Sequence, residues 1–102
     1  MSVRTEIERK FLILPDRLPP LPWGLTMEQA YLSLDPVVRV RISERGALLT
    51  VKGKGLRARD EVEMNIPLDA ARAMISLRRP DTRIIRKTRH EVVHEGTLWE
   101  ID

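Results

Sequence analysis

The sequence contains no cysteine among its 102 residues, so disulfide bonds, thiolate-bound metals and cysteine nucleophiles are all excluded. It has no apolar run near the ~20 residues that a membrane-spanning helix needs. Its N-terminus carries early glutamates and lacks the apolar core of a signal peptide. These absences predict a cytoplasmic protein with no membrane partner.

Aromatic residues are scarce as well, with two Trp, one Tyr and one Phe. Proteins that bind single-stranded nucleic acid usually stack bases on aromatic side chains above a basic groove. Here the formal charge is only +3, and acidic residues are interleaved with the basic ones. We therefore expect no nucleic-acid partner.

The length and composition set the size of the fold. A chain of 102 residues with 42% hydrophobic residues can bury one modest core, which predicts a single domain over residues 1–102. Four of the seven prolines lie between residues 15 and 22, and this stretch is expected to be a connector, packed onto the domain by Trp23 and Leu25.

Apolar and polar residues alternate with a period of two along most of the chain, which predicts a mainly β, α+β fold. The expected strands cover residues 3–14, 27–34, 37–44, 48–54, 56–66, 82–93 and 97–102. A helix is expected over residues 67–77, because Pro67 suits a first helical position and the following apolar residues have helical spacing.

The polar side of these strands carries charge of both signs. Its acidic pairs are Glu6/Glu8, Glu61/Glu63 and Glu100/Asp102, and its basic residues are Lys10, Arg39, Arg41, Lys52, Lys87 and Arg89. Two carboxylates two positions apart on a strand are separated by about 7 Å and repel by roughly 2 kcal/mol at an effective dielectric constant of about 20. Such rows favour a bound cation.

Two interpretations of the charged face remain open at this point. In a flat antiparallel sheet the face is merely solvated, and Glu61 or Glu63 only pairs with arginines. In a sheet that closes with its charge inward, the face lines a water-filled tunnel. Its basic residues then bind a polyanion, and its carboxylates bind a divalent metal.

Several motifs, in order, resemble those of the CYTH superfamily, the triphosphate tunnel metalloenzymes. They are Glu6-Ile7-Glu8-Arg9-Lys10, Gln29-Ala30-Tyr31-Leu32, Arg39-Val40-Arg41, Thr50-Val51-Lys52, Glu61-Val62-Glu63, Arg86-Lys87-Thr88-Arg89 and Trp99-Glu100-Ile101-Asp102. The resemblance implies an eight-stranded antiparallel β-barrel that forms a triphosphate tunnel, with a helix packed outside.

The sequence departs from the family pattern after Asp102, where family members of this type continue into a further acidic strand and helices. We therefore expect a barrel that is incomplete at the C-terminus. Its unpaired strand edges are expected to be covered either by a second copy in a homodimer or by further chain of a longer polypeptide.

The resemblance also implies a division of roles. The expected catalytic residues are Glu6, Glu8 and Lys10. Substrate phosphates are expected to bind Lys10, Arg39, Arg41, Lys52, Lys87 and Arg89, and Mg²⁺ or Mn²⁺ is expected to bind Glu6, Glu8, Glu61 and Glu63.

The function that follows is a metal-dependent hydrolase of triphosphates, with inorganic tripolyphosphate as the expected small-molecule substrate. Phosphoryl transfer needs no protein nucleophile, because most of the catalysis is positioning and charge neutralisation. The alternatives are an adenylate cyclase or thiamine triphosphatase of the same family, or a non-catalytic module that binds polyphosphate or nucleotides.

Overall fold

The computed structural model describes residues 1–54 and 58–102, and these residues form seven β-strands, one α-helix and a short 3-10 helix. In chain order the elements are β1 (Ser2–Ile7), the 3-10 helix (Pro15–Arg17), β2 (Leu25–Leu34), β3 (Val37–Ser43), β4 (Gly46–Lys52), β5 (Ala58–Ile66), α1 (Leu68–Ser76), β6 (Ile85–His94) and β7 (Thr97–Ile101).

The seven strands form a single antiparallel sheet in the order β1-β5-β4-β3-β2-β6-β7. The sheet curls into a half-barrel, with β1 and β7 at its two ends. The prediction of a mainly β, antiparallel, barrel-like fold with one helix outside an incomplete barrel is confirmed.

The apolar core lies on the outer face of the sheet, beneath α1. Ala30 of β2, Val40 of β3 and Ala47 of β4 are buried there against Ala71 and Ile75 of the helix. These strand residues alternate with polar ones, so burying one face of the sheet beneath the helix leaves the polar residues on the other face.

The helix begins and ends close to the predicted positions. Pro67 directly precedes the first helical residue, and its carbonyl accepts a hydrogen bond from the backbone N–H of Ala71 at 3.0 Å. Asp69 lies in the first turn, where a negative charge interacts favourably with the helix dipole. The two buried residues, Ala71 and Ile75, are four positions apart and therefore share one side of the helix.

The prediction of one long first strand over residues 3–14 is wrong, because β1 ends at Ile7. The last residue of β1, Ile7, pairs with Ala58 of β5, and residues 8–14 form no strand. Glu8 and Lys10 therefore lie outside the strand and do not continue the row that contains Glu6.

The other predicted strands are present with bounds that shift by a few residues. The beginning of the predicted strand 56–66 lies outside the described residues. Leu25 is buried and packs the connector onto the sheet as predicted, whereas the corresponding prediction for Trp23 is wrong, because this side chain is 67% exposed. Among the described residues, no helix has the length and apolar character needed to cross a membrane.

Candidate functional site

The face of the sheet opposite α1, called here the inner face, carries polar side chains from all seven strands. Residues that pair across neighbouring strands lie on the same face of the sheet. Following these pairs from β1 to β6 assigns nine residues to the inner face: Arg4, Glu61, Lys52, Thr50, Arg39, Arg41, Gln29, Met27 and Lys87. The buried polar residues of the described chain, Gln29, Thr50, Lys52 and Glu61, all belong to this face. The alternation in the sequence therefore predicted that Glu61, Lys52, Arg39, Arg41 and Lys87 share one face, whereas Glu8 and Lys10 do not belong to it.

The half of the inner face formed by β1, β5 and β4 consists of matched charges. Lys52 Nζ lies 2.7 Å from Glu6 Oε2, and both side chains are largely buried. Arg4 donates from Nε to Glu61 Oε2 at 2.6 Å, and this hydrogen bond raises the pKa of Arg4. Glu63 accepts a longer hydrogen bond from the Thr50 hydroxyl, at 3.3 Å. The acidic residues of this half are thus engaged with protein donors.

At the other end of the inner face, formed by β6 and β7, the positive charges are also paired with carboxylates. Asp102 accepts from Arg89 Nε at 2.7 Å and from Lys87 Nζ at 2.8 Å, and Glu100 Oε2 lies 2.6 Å from Arg89 Nη1. The hydrogen bond from Arg89 holds the pKa of Asp102 well below its usual range. The same contact raises the pKa of Arg89.

Arg39 and Arg41 differ from these cations. Neither forms an ion pair with a carboxylate of residues 1–54 or 58–102, and the buried Nε of Arg39 has no hydrogen-bond partner within the same ranges. Burial, together with the positive charges of Arg39 and Arg89, lowers the pKa of Arg41 to about 10. Arg41 stays protonated at neutral pH, so the centre of the inner face is a positive region with which no carboxylate of the described residues forms an ion pair.

Curvature of the sheet concentrates this charge. Two strands, β2 and β6, lie between β3 and β7, and a flat sheet would separate β3 from β7 by about 14 Å. Even so, Glu100 and Asp102 of the β7 end act on the pKa of Arg41. The inner face therefore forms a trough in which carboxylates of the β7 end act on Arg41 at its centre.

The segment after β1 places Glu8 and Lys10 away from the carboxylates of β5. They form a loose pair with each other, at 3.8 Å, and the Lys10 side chain is 87% exposed. Glu8 contributes to the raised pKa of Arg89, and Phe11 packs edge-on against Trp99 with ring centroids 5.8 Å apart. The segment thus runs from β1 toward the β6–β7 end of the trough.

The donor chemistry of the acidic residues suits Mg²⁺ or Mn²⁺, since carboxylate oxygens are the ligands that these hard cations prefer. Across residues 1–54 and 58–102, however, no three acidic or imidazole side chains are grouped so that they could hold a metal ion. Magnesium is commonly bound by one or two carboxylates together with phosphate oxygens of a substrate. The residues therefore fit a metal that binds with a polyanion rather than a preformed cage.

Three residues of the inner face were not assigned a role from the sequence. Arg4 is two positions before Glu6 in the same strand, so its face could have been read from the period of two. Gln29 is 3% exposed and accepts a hydrogen bond from Arg41, whereas Asp102 neutralises Lys87 and Arg89. These partnerships join different strands, and no local signal in the sequence gives them.

Comparison with known proteins adds a direct relative. In an alignment of 100 positions that covers 95% of the chain, the sequence is 34% identical to an inorganic triphosphatase of Acetivibrio thermocellus. The similarity is to a triphosphatase. The chain spans 64% of that relative's length. No family model matches the chain, and no solved structure matches it.

Proposed function

We propose that the chain belongs to the CYTH superfamily and acts as a metal-dependent hydrolase of triphosphates, with inorganic tripolyphosphate as the substrate. The observation that carries the proposal is the pair Arg39 and Arg41, two guanidinium groups at the centre of a curved polar trough that form no ion pair with a carboxylate of the described residues. The relative from Acetivibrio thermocellus supports the choice of tripolyphosphate.

Binding begins, on this proposal, at the uncompensated arginines. A guanidinium presents parallel N–H donors that match two oxygens of a phosphate group. Burial and the repulsion from Arg39 and Arg89 lower the pKa of Arg41 in the free protein, and an anion placed there relieves this repulsion. A linear triphosphate then extends toward Lys52 on one side and toward Lys87 on the other.

The remaining cations take part by exchanging partners. Lys52 leaves Glu6, and Lys87 and Arg89 leave Asp102, as phosphate oxygens replace these carboxylates. Such an exchange conserves the number of charge-assisted hydrogen bonds, so its cost is small compared with exposing an unpaired buried charge. Lys10, which is exposed, binds the outermost phosphate when the segment after β1 folds over the trough.

The exchange frees Glu6 for the metal, and Glu8 reaches the same region when the segment after β1 folds over the trough. Glu6, Glu8, Glu61 and Glu63 are the residues that would hold Mg²⁺ or Mn²⁺, with phosphate oxygens completing the coordination. When bound, such an ion polarises the phosphoryl group and lowers the pKa of a bound water molecule. The arginines contribute by stabilising the negative charge that is spread over the transferred phosphoryl oxygens.

A second candidate is a non-catalytic module that binds polyphosphate or nucleotides. It is favoured by the pairing of Glu6 and Glu61 with protein cations and by the lack, within the described residues, of a three-carboxylate metal cluster. This candidate shares the polyanion site with the first and differs only in turnover.

Phosphate release and binding, measured on the same preparation, separate the two candidates. Tripolyphosphate, ATP and thiamine triphosphate are each incubated with Mg²⁺, Mn²⁺ or a chelator. Metal-dependent release of phosphate from tripolyphosphate supports the hydrolase, and tight binding without release supports the module. Absence of binding in calorimetry overturns both.

Two substitutions test the proposed roles. Glu8→Ala should abolish metal-dependent turnover and leave binding of the anion largely intact, because Glu8 is proposed to serve the metal. Arg41→Ala should chiefly weaken binding of the anion. Equal losses of binding in both variants would contradict this division.

A further inference from the structure

Gln29 has an unusual position for a neutral side chain. It lies in β2 at the centre of the sheet, where its neighbours across the ladders are Arg41 on one side and Ile85 on the other. The residue is 3% exposed, and its Oε1 accepts a hydrogen bond from Arg41 Nε at 3.1 Å. A buried amide is thus the group that fixes one edge of the Arg41 guanidinium.

The other cations of the inner face have partners of a different kind. Carboxylates pair with Lys52, Lys87 and Arg89 at distances of 2.6–2.8 Å. A glutamate at position 29 has nearly the same shape as glutamine and the same acceptor oxygen. It would also offset the positive charge around Arg41, so on grounds of stability alone a carboxylate is the better partner.

The neutral amide of Gln29 leaves the positive charge of Arg41 available to a ligand, whereas a carboxylate would neutralise it. An arginine has five N–H donors in a planar group, and only the Nε–H is used by Gln29. The four N–H donors of the two terminal nitrogens have no hydrogen-bond partner among the described residues, and Arg41 forms no ion pair with a carboxylate of these residues. The neighbouring Arg39 differs from Arg41 in this respect, since its buried Nε has no hydrogen-bond partner among the described residues.

We propose that Gln29 is a positioning residue for anion binding: it orients Arg41 through Nε, without neutralising it, so that the two terminal nitrogens face a phosphate group. The inference rests on the proposed function, because it assigns a role to a further residue of the proposed polyanion site. Gln29 itself is not expected to contact the anion, and its effect is transmitted through the charge and orientation of Arg41.

The test compares two substitutions of Gln29 in the 102-residue chain. Gln29→Glu keeps the acceptor and adds a charge, whereas Gln29→Met keeps the length and removes the acceptor. Thr26→Glu is the matched control, because it adds the same charge at an exposed position of β2 on the outer face. Binding of sodium tripolyphosphate is measured by titration calorimetry in metal-free buffer, and melting temperatures are measured without ligand.

The expected results differ between the variants. Gln29→Glu should melt at or above the wild-type temperature and bind tripolyphosphate about tenfold more weakly or worse, since an ion pair now neutralises Arg41. Gln29→Met should lose about threefold to tenfold in affinity, because Arg41 is no longer oriented. Thr26→Glu should stay within about twofold of the wild type, since exposed charges on the far face are screened by salt.

A purely structural role for Gln29 makes the opposite prediction for the charged variant. In that case Gln29→Glu, which preserves the hydrogen bond, binds tripolyphosphate as well as the wild type does, and this result overturns the inference. If Gln29→Glu does not fold, unchanged affinity in Gln29→Met overturns it instead. Failure of the wild-type chain to bind tripolyphosphate is a distinct result, which overturns the proposed function and the inference with it.

Discussion

Lys52 of β4 and Glu6 of β1 form a largely buried ion pair, although β5 lies between their strands. The Nζ–Oε2 distance is 2.7 Å. The contact is possible because the sheet curls, which brings the side chains of next-nearest strands together on the concave side. The pair therefore links the curvature of the sheet to the electrostatics of the site.

The first prediction concerns the stability of this pair. Lys52→Met should destabilise the fold by about 3 kcal/mol, because removing one partner leaves the other charge buried and uncompensated. The double variant Lys52→Met/Glu6→Gln should be destabilised by less than the sum of the two single variants. Urea unfolding of the four proteins gives the coupling energy, and strictly additive effects would show that the ion pair makes no contribution.

A second prediction concerns acid stability through Asp102. Arg89 and Lys87 hold its folded pKa below the unfolded value, so its contribution to stability is fully present above about pH 4. This contribution is lost as the pH falls further, toward the depressed folded pKa. Asp102→Asn should therefore be less stable than the wild type at pH 6, and the difference should shrink by pH 2.5.

Urea unfolding at these two pH values checks the sign of the effect. Asp16→Asn is the control, because Asp16 is an exposed carboxylate that forms no ion pair within the part of the chain that the structure describes. A stability difference between the wild type and Asp102→Asn that does not depend on pH would contradict the prediction.

A third prediction concerns stabilisation by the anion. If tripolyphosphate binds the folded chain only, a concentration of 100 times Kd stabilises it by about 2.7 kcal/mol. For a chain of this size that corresponds to a rise in Tm of about 10 °C or more. Calorimetric scans at constant ionic strength, with sodium chloride replacing tripolyphosphate in the reference, give the specific part of the shift.

The rise in Tm caused by tripolyphosphate should depend on residues of the inner face and not on basic residues elsewhere. Arg41→Ala should lose most of it, whereas Arg72→Ala, an exposed arginine of α1 on the other side of the sheet, should keep it. A similar shift in both variants would indicate non-specific attraction of the anion to a basic protein.

A fourth prediction concerns the close packing of the residues just before β2 against β6. A Cβ added at Gly24 would lie 2.7 Å from His90 Cε1, and the His90 ring is held by the Pro22 carbonyl at 2.8 Å. Gly24→Ala should therefore cost about 1–3 kcal/mol, since the close packing must shift. Gly53→Ala is the matched control, because its nearest contact would be an ordinary 3.7 Å. Equal stabilities of the two variants would contradict the prediction.

The sequence by itself determined which residues share a face. Arg39 and Arg41 alternate with Val40, and Lys52 is two positions after Thr50, so the period of two assigns each of them to the polar side without knowledge of strand order. The same rule places Val40 on the opposite, apolar side of β3, and this residue is fully buried. Such assignments are local, because they need only the geometry of one strand.

The sequence could not determine how far each strand extends. The alternation continues past Ile7, but β1 ends at this residue. Glu8 and Lys10 follow the end of the strand and therefore leave the predicted row. The period of two gives the face that a residue takes within a strand, but a strand also needs hydrogen bonds from a neighbouring strand, so its length cannot be derived from its own pattern.

Only the tertiary structure decided which cations have counter-charges. Glu6 and Lys52 are 46 residues apart in sequence, and Arg4 and Glu61 are 57 apart. These pairs depend on the strand order and the curl of the sheet. The same two features leave Arg39 and Arg41 without carboxylate partners among the described residues and place Gln29 beside Arg41. Coulomb energies fall with distance in space, so long-range pairing and curvature determine the charge available to a ligand.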